Sequence, residues 1–94
     1  MTEIGLICQP SSIGWICEVT VHNGRETHLR VHVTRADLPR LAPGASDPQD
    51  LVRASIAFLL EREPRESILR EFDLSAIARY FPEYEVVITR RLRG

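Results

Sequence analysis

The sequence predicts an α+β fold: a three-stranded antiparallel meander covered on one face by three to four helices. Three patterns predict it. Apolar residues alternate from Trp15 to Val21 (Trp15, Cys17, Val19, Val21) and again from Thr27 to Thr34 (Leu29, Val31, Val33), and period two marks strands with one buried face. Between the runs lies His22-Asn23-Gly24-Arg25-Glu26, where Asn-Gly is a strong hairpin signal. After residue 47 the apolar spacing becomes helical, which supplies the cover. With 94 residues the chain reads as one domain, sheet in 1–34 and helices in 47–92. A chain of this size buries about 60–65% of its unfolded surface around one modest core.

Residues 3–9 read as the first strand, with Ile4, Leu6 and Cys8 inward, and Pro10-Ser11-Ser12 turns the chain. In the hairpin that follows, Val19 pairs with Leu29, Cys17 with Val31 and Trp15 with Val33. This register keeps the apolar sets together and needs an odd connection, such as a three-residue loop or a two-residue Asn23-Gly24 turn followed by a bulge. It puts Glu18 opposite Arg30, Thr20 opposite His28, Ile16 opposite His32 and His22 opposite Glu26, so all three histidines lie on the polar face. Thr34 reads as an N-cap with Asp37 three residues on. Because Pro39 follows so soon, only a short turn is expected before the loop at Ala42-Pro43-Gly44-Ala45.

A helix is expected from Asp47-Pro48 to about Arg62, ending before Pro64. Val52, Ile56 and Leu59 form one apolar stripe on it, and Leu51 and Phe58 form a second, more than a sheet alone would cover. Pro64 opens a short helix carrying Ile68, Leu69 and Phe72. Asp73 caps another, carrying Leu74, Ile77 and Phe81. Residues 83–92 fit a helix through Tyr84, Ile88 and Leu92 and a strand through Tyr84, Val86 and Ile88; both remain open, with helix favoured.

Composition narrows the chemistry. All 12 basic residues are arginine, which removes Schiff-base lysines and the phosphate-loop lysine. The net charge of −1 gives no general attraction to nucleic acid or anionic lipid. Cys8 and Cys17 are too few for a disulfide framework and are expected reduced, as small core residues that can neighbour each other across adjacent strands. The N-terminus lacks a basic region followed by an apolar run, and no apolar stretch approaches a membrane span, so a cytoplasmic location is expected. No phosphate-binding, nucleophile-elbow or zinc-protease motif occurs. A metal site on the histidine face is disfavoured: His28 and His32 stand roughly 13 Å apart along one strand, and Cys17 points to the other face. Carboxylate pairs such as Glu61 with Glu63 and Glu83 with Glu85 lie in charged helix-end segments and read as solvated faces. The sequence therefore predicts no catalytic residues, no cofactor and no metal.

The stretch Ser67-Ile68-Leu69-Arg70-Glu71-Phe72-Asp73-Leu74, continuing through Ile77-Ala78-Arg79-Tyr80-Phe81-Pro82-Glu83-Tyr84-Glu85, resembles a segment found in small uncharacterised bacterial proteins. That resemblance implies a small cytoplasmic bacterial protein and carries no activity with it. A meander leading into a helix is also similar in outline to HicB-type antitoxin domains.

The function expected from these observations is non-catalytic protein–protein interaction, as an adaptor, inhibitor or antitoxin-like regulator. Candidate contact residues are Leu51, Phe58, Tyr80, Phe81 and Tyr84, since aromatic anchors dominate interfaces. The second stripe of the central helix suggests a two-fold homodimer, with sheet extension at an edge strand as another route. The alternative is a nucleic-acid-binding regulator that uses the helical C-terminal half, with Arg90, Arg91 and Arg93 as contacts to phosphate or to an acidic partner. Residues 47–86 hold nine acids and five arginines, and Glu83 and Glu85 open the helix that would enter a groove, so nucleic acid is disfavoured.

Overall fold

A computed structural model describes residues 2–93. The fold is α+β, with a four-stranded mixed sheet in the order β1-β2-β3-β4. The strands are β1 (Glu3–Pro10), β2 (Gly14–His22), β3 (Glu26–Thr34) and β4 (Glu71–Asp73). The helices are α1 (Asp37–Leu41), α2 (Gln49–Arg62), α3 (Ile77–Tyr80) and α4 (Tyr84–Arg93), with 3-10 turns at Arg65–Ser67 and Leu74–Ala76.

The first three strands form the expected meander. Val19 faces Leu29, Cys17 faces Val31 and Trp15 faces Val33. Asn23, Gly24 and Arg25 make the three-residue connection, with Gly24 at φ 82°, a conformation that glycine adopts at no steric cost. The covered face of β2 and β3 is dry: Cys17, Val19, Val21, Leu29, Val31 and Val33 are all buried.

Four departures from the sequence reading have physical causes. The sheet has a fourth strand, because Phe72 pairs with Val31 in parallel register instead of lying on a helix after Pro64. Glu71-Phe72-Asp73 is too short for alternation to declare it, and the pairing is non-local. Cys8 and Cys17 form a disulfide. They are directly opposed across β1 and β2, with 4.0 Å between their Cα atoms, which brings the thiols within bonding reach. A five-residue helix, α1, replaces the simple turn. Pro39 sits in its first turn, where a missing N–H costs nothing. The turn leading into α1 is held reciprocally: Asp37 N donates to Thr34 Oγ1 (3.2 Å) and Thr34 N donates to Asp37 Oδ2 (3.0 Å), the hydrogen-bond pattern of a capping box placed just ahead of the helix, whose own N-cap is Ala36. Finally, the second stripe of α2 is fully covered. Leu51 and Phe58 are buried because residues 84–93 take the helical alternative and α4 packs along α2.

Candidate interaction groove

The helical half closes around an aromatic cluster. Phe58 meets Tyr84 edge-on at 5.3 Å between ring centroids and Phe81 at 5.8 Å, geometries favoured by the ring quadrupoles. The Arg62 guanidinium lies 3.6 Å from the Phe58 ring centre, a cation–π contact, and Arg62 Nε donates to Glu83 (3.1 Å). Leu51, Phe58 and Tyr84, three of the five contact candidates, are therefore core residues at 0–1% exposure. They support the surface from beneath.

Tyr80, together with the outer side of Phe81, lies on an open groove of about 420 Å³ between the end of α2, the segment around β4 and α3. Leu59, Ile68 and Ile77 form its buried floor, and Phe72 and Phe81 are half-buried along it. Leu69 (60% exposed) and Tyr80 (73%) stand at its rim. Glu63 and Ser67 supply polar groups at the margin. The groove forms because β4 pulls Phe72 onto the sheet, so the chain on either side cannot continue as the helices that would have closed over it. The sequence reading missed Leu69 as a surface residue for the same reason: on a helix it would have faced the core.

Several charges of this half are paired within the chain. Arg91 donates to Glu61 (2.6 Å), and that bond, helped by Arg62, holds the Glu61 carboxyl below its ordinary range. Glu83 is lowered as well, by a backbone hydrogen bond and by Arg62. Arg40 bridges Asp37 (2.9 Å) and Glu85. Of the three tail arginines named as phosphate contacts, Arg91 is thus engaged by Glu61, while Arg90 and Arg93 are exposed.

On the open face of the sheet, the histidines sit where the register requires. Glu26 lies 2.9 Å from His28 Nε2 and 3.4 Å from His22 Nε2. His32 contacts Glu71 at 2.6 Å, tying β3 to β4 and lowering the Glu71 pKa. Arg30 Nε donates to Glu18 at 2.7 Å. Among the described residues, no group of three or more His, Cys, Asp and Glu side chains is placed to hold a metal ion. No helix among them is long and apolar enough to cross a membrane. The chain matches no family model, no curated protein and no solved structure.

Proposed function

We propose that the protein is a non-catalytic protein–protein interaction module, an adaptor, inhibitor or antitoxin-like regulator, that seats a partner on the groove between α2, β4 and α3. The observation carrying this reading is the exposure of Leu69 and Tyr80 above an apolar floor of Leu59, Ile68 and Ile77. Apolar anchors beside a concave apolar surface are the usual centre of a protein interface. Self-association as a two-fold homodimer belongs to the same reading. The nucleic-acid alternative has less support, because Glu61 engages Arg91 and Glu83 and Glu85 stand at the start of α4.

The expected cytoplasmic location and the disulfide pull in opposite directions, since disulfides persist in oxidising compartments and are rare in the cytosol. Trapping thiols at the moment of cell lysis decides between them: free Cys8 and Cys17 place the chain in a reducing compartment, and an intact bond places it in an oxidising one.

The functional test is affinity purification from the source cell with two baits, the native chain and a folded Leu69→Asp/Tyr80→Asp variant. A stoichiometric protein partner held by the native bait and lost by the variant is expected. A partner retained equally by both baits rejects the groove. Nucleic acid as the sole co-purifying species rejects the protein-binding reading and favours the alternative.

A further inference from the structure

We propose that β1 is a dimerisation strand. It pairs antiparallel with β1 of a second copy, in the register that sets Leu6 opposite the partner's Leu6, and it joins two four-stranded sheets into one. This rests on the self-association reading and gives it a surface. The apolar face of α2, which first suggested a dimer, is already covered within the chain.

β1 ends the sheet, and the local hydrogen bonds fix which of its backbone groups point outward. Ser11 N donates to Gly14 O at 2.8 Å, making Ser11–Gly14 a bonded pair. In an antiparallel ladder bonded and non-bonded pairs alternate. Gln9–Ile16, Ile7–Glu18 and Gly5–Thr20 are then bonded, and Cys8–Cys17, Leu6–Val19 and Ile4–Val21 are not. The N–H and C=O groups of Ile4, Leu6 and Cys8 therefore face the free edge. Pro10 falls on a non-bonded position, where its missing N–H deprives β2 of nothing.

Edges are normally guarded by bulges, prolines, lysines or inward charges. The β1 register runs unbroken from Glu3–His22 to Pro10–Trp15, so there is no bulge. The inward residues Ile4, Leu6 and Cys8 are apolar and half-buried, so the covered face is incomplete along this edge. Proline appears only at the last position, and the chain contains no lysine.

The Leu6-centred register is self-complementary. On the covered face, Ile4 meets the partner's Cys8 and Leu6 meets the partner's Leu6, closing the half-buried seam. On the open face, Ile7, 67% exposed, meets the partner's Gly5. A Cβ at Gly5 would touch nothing within 4 Å, which leaves room for an isoleucine side chain from the facing strand. Glu3 falls opposite the partner's Gln9, so no like charges are apposed. A shift of one residue would set covered-face side chains against open-face ones, and the two-residue shift in one direction sets Ile7 against Glu3.

The test combines sedimentation equilibrium with amide hydrogen exchange on the native chain and two variants. Leu6→Pro removes an outward N–H, a replacement edge strands tolerate. Gly5→Asp occupies open space in one copy and sets a carboxylate against the partner's Ile7 in the dimer. The native chain is expected at about 21 kDa, twice its 10.7 kDa, with the Ile4, Leu6 and Cys8 amides protected as concentration rises. Each variant is expected to weaken the dimer by about tenfold or more while keeping the native circular dichroism spectrum. Should Leu6→Pro fail to fold, Gly5→Asp and the exchange pattern carry the test. A dimer that survives Gly5→Asp with fast-exchanging edge amides overturns the β1 assignment and leaves self-association standing. A native chain that remains at monomer mass up to its solubility limit overturns both.

Discussion

The Tyr84 hydroxyl donates its hydrogen bond to the Ser55 hydroxyl, not the reverse. The two oxygens are 2.7 Å apart and both residues are fully buried. Ser55 spends its single hydrogen on the Leu51 carbonyl, also at 2.7 Å, so the proton between the two oxygens belongs to Tyr84. The bond ties α4 to α2 at the centre of the helical half. It makes the two ends of the pair unequal. Tyr84→Phe leaves Ser55 satisfied by Leu51 and is expected to cost about 1 kcal/mol. Ser55→Ala strands a buried phenol and is expected to cost more, about 1–3 kcal/mol, although it removes the smaller group. Urea denaturation of both variants checks the order, and the reverse order rejects the donor assignment.

The same phenol links stability to alkaline pH. Burial pushes the Tyr84 pKa up to about 12. In the unfolded chain the phenol titrates near 10. A group whose folded pKa is raised contributes stability that is whole below the unfolded pKa and lost as pH rises through the folded one. Between about pH 10 and 12 the native chain should lose on the order of 2 kcal/mol that Tyr84→Phe does not lose. Parallel decline of the two proteins across that range would reject the linkage.

Gly14 is required by a close approach. A Cβ there would lie 2.0 Å from the Val33 carbonyl oxygen and 2.8 Å from the Thr34 Cα. These are backbone atoms of the paired strand and cannot swing aside. Gly14→Ala is therefore expected to destabilise by roughly 2 kcal/mol or more through strain between β2 and β3. Gly5→Ala, with open space around it, should change stability by no more than about 0.5 kcal/mol. Thermal melts of the two variants side by side test the contrast, and equal effects would refute it.

The Cys8–Cys17 bond closes a short loop, the two residues being 9 positions apart. Constraint of the unfolded chain by a loop of this length is worth about 2–3 kcal/mol. Reduction, or the double change Cys8→Ala/Cys17→Ala, should lower the unfolding free energy by that amount while leaving the meander intact. Denaturant melts with and without reductant measure it. Full-strength stability after verified reduction would contradict the expectation.

What the sequence disclosed followed the reach of its signals. The hairpin register was legible because both strands alternate in phase and Asn23-Gly24 marks the turn. The pairing of Thr34 with Asp37 was legible because it spans only three residues, although the helix itself starts later, at Asp37. The disulfide was half legible: opposed cysteines follow from the strands, while the state of their sulfur does not. β4 was illegible, since one apolar residue between two acids has no period and its partner lies far away in the chain. The groove inherited that failure. Tyr80 and Phe81 were found as aromatic candidates, but Leu69 stands exposed at the rim, and Phe72 lines the groove, only because β4 exists. Leu51, Phe58 and Tyr84 could not be sorted from them by pattern, because helical spacing does not say which of two stripes a later helix will cover.

The parallel pairing of β4 with β3 joins two distant parts of the chain. β1, β2 and β3 are neighbours through tight turns and close quickly. Glu71, clasped to His32 from 39 positions away, arrives only after α1 and α2 have been traversed, and such distant closures are entropically slow. Without that pairing the outer edge of β3 would be bare and the groove would lack its Phe72 wall. The last strand and the wall of the groove are thus one structural unit, and a change that breaks the β3–β4 pairing removes both together.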